Sequence, residues 1–226
     1  MKVRIFALAI GLGSACFAGA QVFTDDFNRA DSSSLGANWT QTAATTQIAG
    51  NQAVNGQSTT GMAIVNGFSA AYTVQSVSMD VSLTNANLGY VGGVLGYGSD
   101  DIFVKVQGSN GTFSNYGFYH ANNSSGVSGG GFFALNTTFT SARITISVLS
   151  NDSVQLGIDT DFNGSFDQTY TATGYSAYSL GTGAGIALYG SGAGDNYRAQ
   201  GVVPEPATFA VLGLGALALI RRRRSK

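Results

Sequence analysis

From about residue 47 to residue 200 the apolar side chains recur at every second position, in short runs broken by Gly, Asn, Ser and Asp. Val77, Met79, Val81 and Leu83 alternate with Ser76, Ser78, Asp80 and Ser82, the pattern of a strand with one face in a core. Ile102, Val104 and Val106 repeat it, as do Ile144, Ile146 and Val148. Further strands are expected at 63–66, 90–97, 116–120, 154–158, 168–173 and 185–189. No segment between residues 21 and 200 sustains a capped helical stripe. About ten strands with no helices to cover a parallel sheet predict an all-β fold, two packed antiparallel sheets in a β-sandwich or jelly roll.

Charge divides the chain into three. Residues 21–200 hold 4 basic and 11 acidic groups, whereas both ends are basic and apolar. An acidic body between such ends fits two membrane-engaging segments around an exported domain and argues against a nucleic-acid partner. The expected organisation is a signal peptide over 1–20, the sandwich over 21–200 and a separate tail over 201–226.

Lys2 and Arg4 precede an apolar run, and Ala18 and Ala20 occupy the small-residue positions that signal peptidase accepts. Cleavage after Ala20 would leave Gln21 as the mature N-terminus and remove Cys16, the single cysteine, so neither a disulfide nor a thiolate nucleophile is expected. At the other end Val203, Pro204, Glu205 and Pro206 introduce an apolar segment over 207–220, followed by Arg221, Arg222, Arg223, Arg224, Ser225 and Lys226. Fourteen helical residues reach only about 21 Å, short of a hydrocarbon core of roughly 30 Å. Arginines that snorkel to the headgroups extend the span, so a transmembrane helix is expected, its basic end in the cytoplasm.

These elements resemble the PEP-CTERM sorting signal over about residues 202–226. The resemblance implies a Gram-negative bacterium and recognition by an exosortase at the inner membrane. Pro204, Glu205 and Pro206 would be the recognition residues and Arg221–Arg224 the cytoplasmic stop. It implies a route to the cell surface or extracellular matrix rather than an activity. The segment from Val22 to Thr40, with Asp25-Asp26-Phe27-Asn28-Arg29 and Asn38-Trp39, resembles the first strand of the concanavalin A-like lectin and glucanase jelly roll. Asp195-Asn196-Tyr197-Arg198 echoes that opening, and in such folds the terminal strands lie side by side. Phe27, Trp39 and Tyr197 are expected in the core.

Asp159, Asp161, Asn163 and Asp167, with Gly164, match relative positions 1, 3, 5, 9 and 6 of an EF-hand-type calcium loop. Position 12 is Tyr170 rather than Glu, and strands flank the loop, so a hairpin turn at Asn163-Gly164 with solvated aspartates stands beside the calcium site. Catalysis has little support. Residues 21–200 contain no glutamate, so a glycosidase pair would need aspartates, and His120, the single histidine, sits among aromatics rather than in a nucleophile elbow. The expectation is a non-enzymatic sandwich that binds extracellular polysaccharide or serves structurally. The alternative is a divergent Asp-dependent glycoside hydrolase or lyase.

Overall fold

The computed structural model describes residues 20–202, apart from 44, 56, 99 and 123–126, with backbone alone for 121–122 and 127–130. The strands are β1 (Ala20–Asp25), β2 (Trp39–Ala43), β3 (Thr46–Ala49), β4 (Gln52–Asn55), β5 (Gly61–Val65), β6 (Ser76–Leu83), β7 (Gly89–Tyr97) and β8 (Asp100–Ser109). After them come β9 (Thr112–Asn122), β10 (Val127–Phe139), β11 (Ser141–Ser150), β12 (Ser153–Asp159), β13 (Gln168–Thr173), β14 (Gly183–Gly190) and β15 (Gly192–Val202). Helical structure among the described residues amounts to two single 3-10 turns, Tyr72–Val74 and Tyr175–Ala177. None of it is long and apolar enough to cross a membrane.

The strands form two antiparallel sheets. One runs β13-β12-β11-β6-β15-β4-β3, with β1 also on β15, and the other runs β10-β9-β8-β7-β14-β5-β2. The all-β sandwich expected from the alternation is therefore present. Val77, Met79, Val81, Ile144 and Ile146 from one sheet meet Ile102, Val104, Val106, Ile186 and Leu188 from the other in a continuous core. Phe27 and Tyr197 are fully buried beside Trp39, which lies 4.9 Å from the Tyr197 ring and 5.4 Å from Phe23. The terminal strands do lie side by side, β1 pairing with β15 from Ala20↔Val202 to Asp25↔Tyr197.

The strand count is corrected upward, from about ten to fifteen among the described residues. Short β2, β3 and β4 bury few apolar residues in sequence. In β10 the glycines at 129–131, which in sequence fit either a loop or tight strand packing, belong to a strand paired with β9 across irregular register. The segments 1–19 and 203–226 lie outside the described residues, and with them the expected transmembrane helix.

Candidate functional site

Strand β8 shows how the seven-stranded sheet acquires a second apolar face. Ile102, Val104 and Val106 point into the inter-sheet core, which turns Asp101, Phe103, Lys105 and Gln107 outward. Register brings partners to the same outer face: Val94 and Tyr119 flank Phe103, Gly92 and Gly117 flank Lys105, and Tyr90 pairs with Tyr189. Among the described residues no helix covers them, and the side chains cover one another. Tyr90 stacks on Tyr189 at 5.1 Å with a 12° tilt, Phe103 on Tyr119 at 5.9 Å, and Phe132 meets Tyr119 edge-on at 6.0 Å.

The two glycines make that cover possible. A Cβ at Gly92 would fall 2.3 Å from the Val104 carbonyl oxygen and 2.5 Å from the Phe103 ring, and one at Gly117 would fall 2.5 Å from the Tyr119 ring. Both rings therefore lean across bare backbone toward Lys105. Its ammonium sits 3.9 Å from the Tyr90 centroid, 4.6 Å from Phe132 and 4.9 Å from Tyr119. Lys105 is 7% exposed, and among the described residues its ammonium has neither an ion-pair partner nor a hydrogen-bond acceptor. Burial pulls its pKa down to about 8. Asp101 shares this outer face four residues away along the strand, about 13 Å. It is 4% exposed, and burial, with Asp100 beside it, pushes its carboxyl up to about 6. The sequence reading missed this face, because its residues are scattered from 62 to 189 and only register assembles them. One signal was available: Lys105 is the single lysine between residues 21 and 200, and it is set among apolar neighbours.

Beside Tyr189 a groove of about 450 Å³ is lined by amides and hydroxyls, among them Asn55, Gln57, Ser58, Asn85 and Asn87. A second cleft, about 430 Å³, opens where β9 and β10 meet β13, lined by Tyr116, Phe118, His120, Phe133, Tyr175 and Tyr178. His120 is half-buried there and stacks on Tyr178 at 4.0 Å.

A larger recess, about 860 Å³, lies over β1 and β15 and includes Asp25, Asp26, Arg29, Arg143, Asn196 and Arg198. Its charges are largely committed to one another. Asp25 accepts from Arg29 at 2.6 and 3.0 Å, from Trp39 Nε1 at 2.8 Å and from the Phe27 amide at 2.9 Å. Asp80 accepts from Arg143 at 2.7 and 2.9 Å and from Asn196 Nδ2 at 2.9 Å. The Asp25-to-Arg29 motif thus fastens the first strand to Trp39.

In the 160–167 loop, carboxylate oxygens of Asp159, Asp161 and Asp167 lie within 4.8 Å of one another, a cluster that could hold a metal ion. Beside them Asn163 Nδ2 donates to Asp161 at 2.8 Å, and its Oδ1 accepts from the Ser165 amide at 2.7 Å. The simple turn with solvated aspartates is revised. Asp159 is buried and accepts from the Asn163 and Gly164 amides at 3.2 and 2.8 Å, and Asp167 accepts from Thr160 N and Oγ1 at 2.8 and 2.5 Å. Phe162 as well as Gly164 takes a left-handed backbone, so the reversal spans the whole loop.

Of the residues expected to direct export, Ala20 and Gln21 open β1, whereas Ala18, Val203, Pro204, Glu205, Pro206 and Arg221–Arg224 lie outside the described residues. Among solved structures the fold is similar to the CBM2 module of Lactobacillus casei BL23 phage J-1 evolved Dit, 12% identical with a TM-score of 0.54 over 83% of this chain and 98% of that one. It is also similar to a native glycosidic hydrolase, 12% identical with a TM-score of 0.52 over 81% of this chain and 98% of the other. The apo Crh5 transglycosylase is 12% identical with a TM-score of 0.50, over 81% and 85%. At such identity the likeness concerns the fold, which is the jelly-roll sandwich expected from the opening motif. No curated protein matches the chain. Residues 202–224 match the PEP-CTERM protein-sorting motif, so the chain carries the signal of an exported protein that passes through a membrane-anchored, exosortase-processed intermediate.

Proposed function

We propose that this is a surface or extracellular-matrix protein of a Gram-negative bacterium whose sandwich binds polysaccharide across the outer face of the seven-stranded sheet. The observation that carries this reading is the aromatic face itself. Phe132 is 52% exposed at one side and Tyr189 is half-buried at the other, which gives a sugar ring flat apolar surfaces to stack on. The adjoining amides supply partners for hydroxyl groups. Support from the comparisons is limited to the similar fold of chains described as a CBM2 module and a glycosidic hydrolase.

Binding is preferred to hydrolysis for a specific reason. The seven strands of this sheet contain only two carboxylates, Asp100 and Asp101, which are adjacent in β8 and so on opposite faces. A carboxylate pair about 5 Å apart over one sugar is not available there. The test is to incubate the purified exported protein with a panel of insoluble polysaccharides. Retention on at least one glycan without release of reducing sugar is expected, and release that disappears in Asp101→Asn would favour the hydrolase.

The three converging carboxylates of the 160–167 loop favour a calcium site as a second, separate property. With three charged ligands and no bidentate glutamate at the twelfth position, affinity in about the millimolar range is expected. At tenfold that concentration calcium should stabilise the fold by about 1.4 kcal/mol, and Asp161→Asn should abolish the gain. Identical melting with and without calcium would end this reading.

A further inference from the structure

The structure assigns an acidic sugar, one bearing a carboxylate, to the Lys105 position of the aromatic face, an inference that rests on the glycan-binding reading. A buried ammonium needs three hydrogen-bond acceptors or an opposite charge to offset desolvation. The surrounding rings offer attraction to the charge but no acceptor, and no carboxylate of the described residues reaches it. The nitrogen is nevertheless not sealed. Lys105 keeps 7% of its surface exposed, and its nitrogen is not among the sealed, partnerless polar atoms as Tyr119 Oη is.

The layout also fits a chain of sugars. In the ladder Phe132 stands opposite Gly117, Gly117 opposite Lys105, Lys105 opposite Gly92, and Gly92 opposite Ala187 of β14, the strand that carries Tyr189. Phe132 and Tyr189 are thus each two strands from Lys105, and because the side chains lean inward, with Phe132 4.6 Å and Tyr90 3.9 Å from the ammonium and Tyr189 5.1 Å from Tyr90, the two accessible rings lie within about 14 Å of each other with one cation between them. Neutral sugars on the two rings would place an intervening residue over the ammonium, where an equatorial carboxylate finds a charge-assisted hydrogen bond instead of water. A neutral polysaccharide would offer the ammonium hydroxyl acceptors but no opposite charge, and so a weaker hydrogen bond. The lowered pKa of Lys105 agrees with a site lacking its anion.

The experiment compares binding of the purified, processed protein to polygalacturonate and polyglucuronate with binding to the same polymers after carboxyl reduction, by calorimetry at pH 7. The uronate form should bind at least about tenfold more tightly, and Lys105→Met should bring uronate affinity down to that of the reduced polymer. Wild-type affinity for the uronate should also fall as pH rises past about 8 toward 10, while affinity for the reduced polymer stays flat. That arm needs no variant and survives a failure of Lys105→Met to fold. Equal binding of charged and reduced polymers would overturn the acidic-sugar assignment and leave the glycan reading standing. Binding of neither would overturn both.

Discussion

Ala20 and Val202 face each other as the outermost pair of the antiparallel β1–β15 ladder. The expected signal-peptidase cut and the start of the sorting motif therefore attach to neighbouring positions of one sheet. Gln21, the expected new N-terminus, is already tied down: its Nε2 donates to the Gly67 carbonyl at 2.6 Å and its Oε1 accepts from the Ser69 amide at 2.7 Å. Cyclisation of an N-terminal glutamine requires its α-nitrogen to attack the side-chain carbonyl carbon and expel ammonia. With both amide atoms engaged, Gln21 should stay open in the folded protein. Intact-mass measurement of secreted material should find the chain starting at Gln21 with no loss of ammonia; a start elsewhere, or a cyclised terminus, would contradict this.

Asp25 gathers Arg29, Trp39 and the Phe27 amide around one carboxylate. Burial opposes its charge, but those hydrogen bonds outweigh burial and hold its pKa below the ordinary value. The stabilisation is thus present above about pH 4 and lost as pH falls through the folded-state value. Asp25→Ala should cost about 2 kcal/mol at neutral pH and much less near pH 2. Denaturant melts at both values check it, and an equal loss at both would show that the charge is not what matters.

Asp101 behaves in the opposite way. Its pKa is raised to about 6, so the folded state holds a proton that the unfolded chain has released, and stability falls as pH climbs from about 4 to about 6. Replacing it with Asn should stabilise the protein by about 1–2 kcal/mol at pH 7.5 and by far less at pH 4. Thermal melts of the two proteins across this range should converge at the acid end; parallel curves would contradict the raised pKa.

The tail separates into an anchor and a recognition motif. Changing Arg221–Arg224 to Ser should abolish the topology signal, because an apolar run of about 21 Å depends on those cations to stop translocation. Changing Pro204, Glu205 and Pro206 to Ala should leave insertion intact and block processing, so that an uncleaved membrane-bound species accumulates. Fractionation and blotting in a host with an exosortase would distinguish them. Processing of both like the wild type would require another role for residues 207–220.

How far the sequence could be read follows from where the alternation is regular. Strand β6 announces itself because Val77, Met79 and Val81 face the core while Ser76, Ser78 and Asp80 do not. Strand β10 does not, since its glycines and the exposed Phe132 and Phe133 break the period. Phe27, Trp39 and Tyr197 were legible as core aromatics because bulky rings in a weakly charged chain have few other places to go. The aromatic face was not legible. In β8 the inward residues Ile102, Val104 and Val106 account for the period, and nothing local marks Phe103 and Lys105 as covered by rings from β7, β9 and β10. The acidic loop was legible as a group of oxygens, but not the hydrogen bonds that tie Asp159 to the Asn163 and Gly164 amides and Asp167 to Thr160.

The central claim is that polysaccharide is held by the outer face of the seven-stranded sheet, and matched surface substitutions on the two sheets test it most directly. Phe132→Ser with Tyr189→Ser alters the proposed face, whereas Val22→Ser with Phe162→Ser removes exposed apolar side chains, 49% and 43% accessible, associated with the other sheet. Retention on the bound polysaccharide is measured for both pairs, with melting temperature as the check on folding. The first pair should lose about tenfold or more in affinity while staying folded, and the second should match the wild type. Undiminished retention of the first pair, or loss confined to the second, would contradict the account.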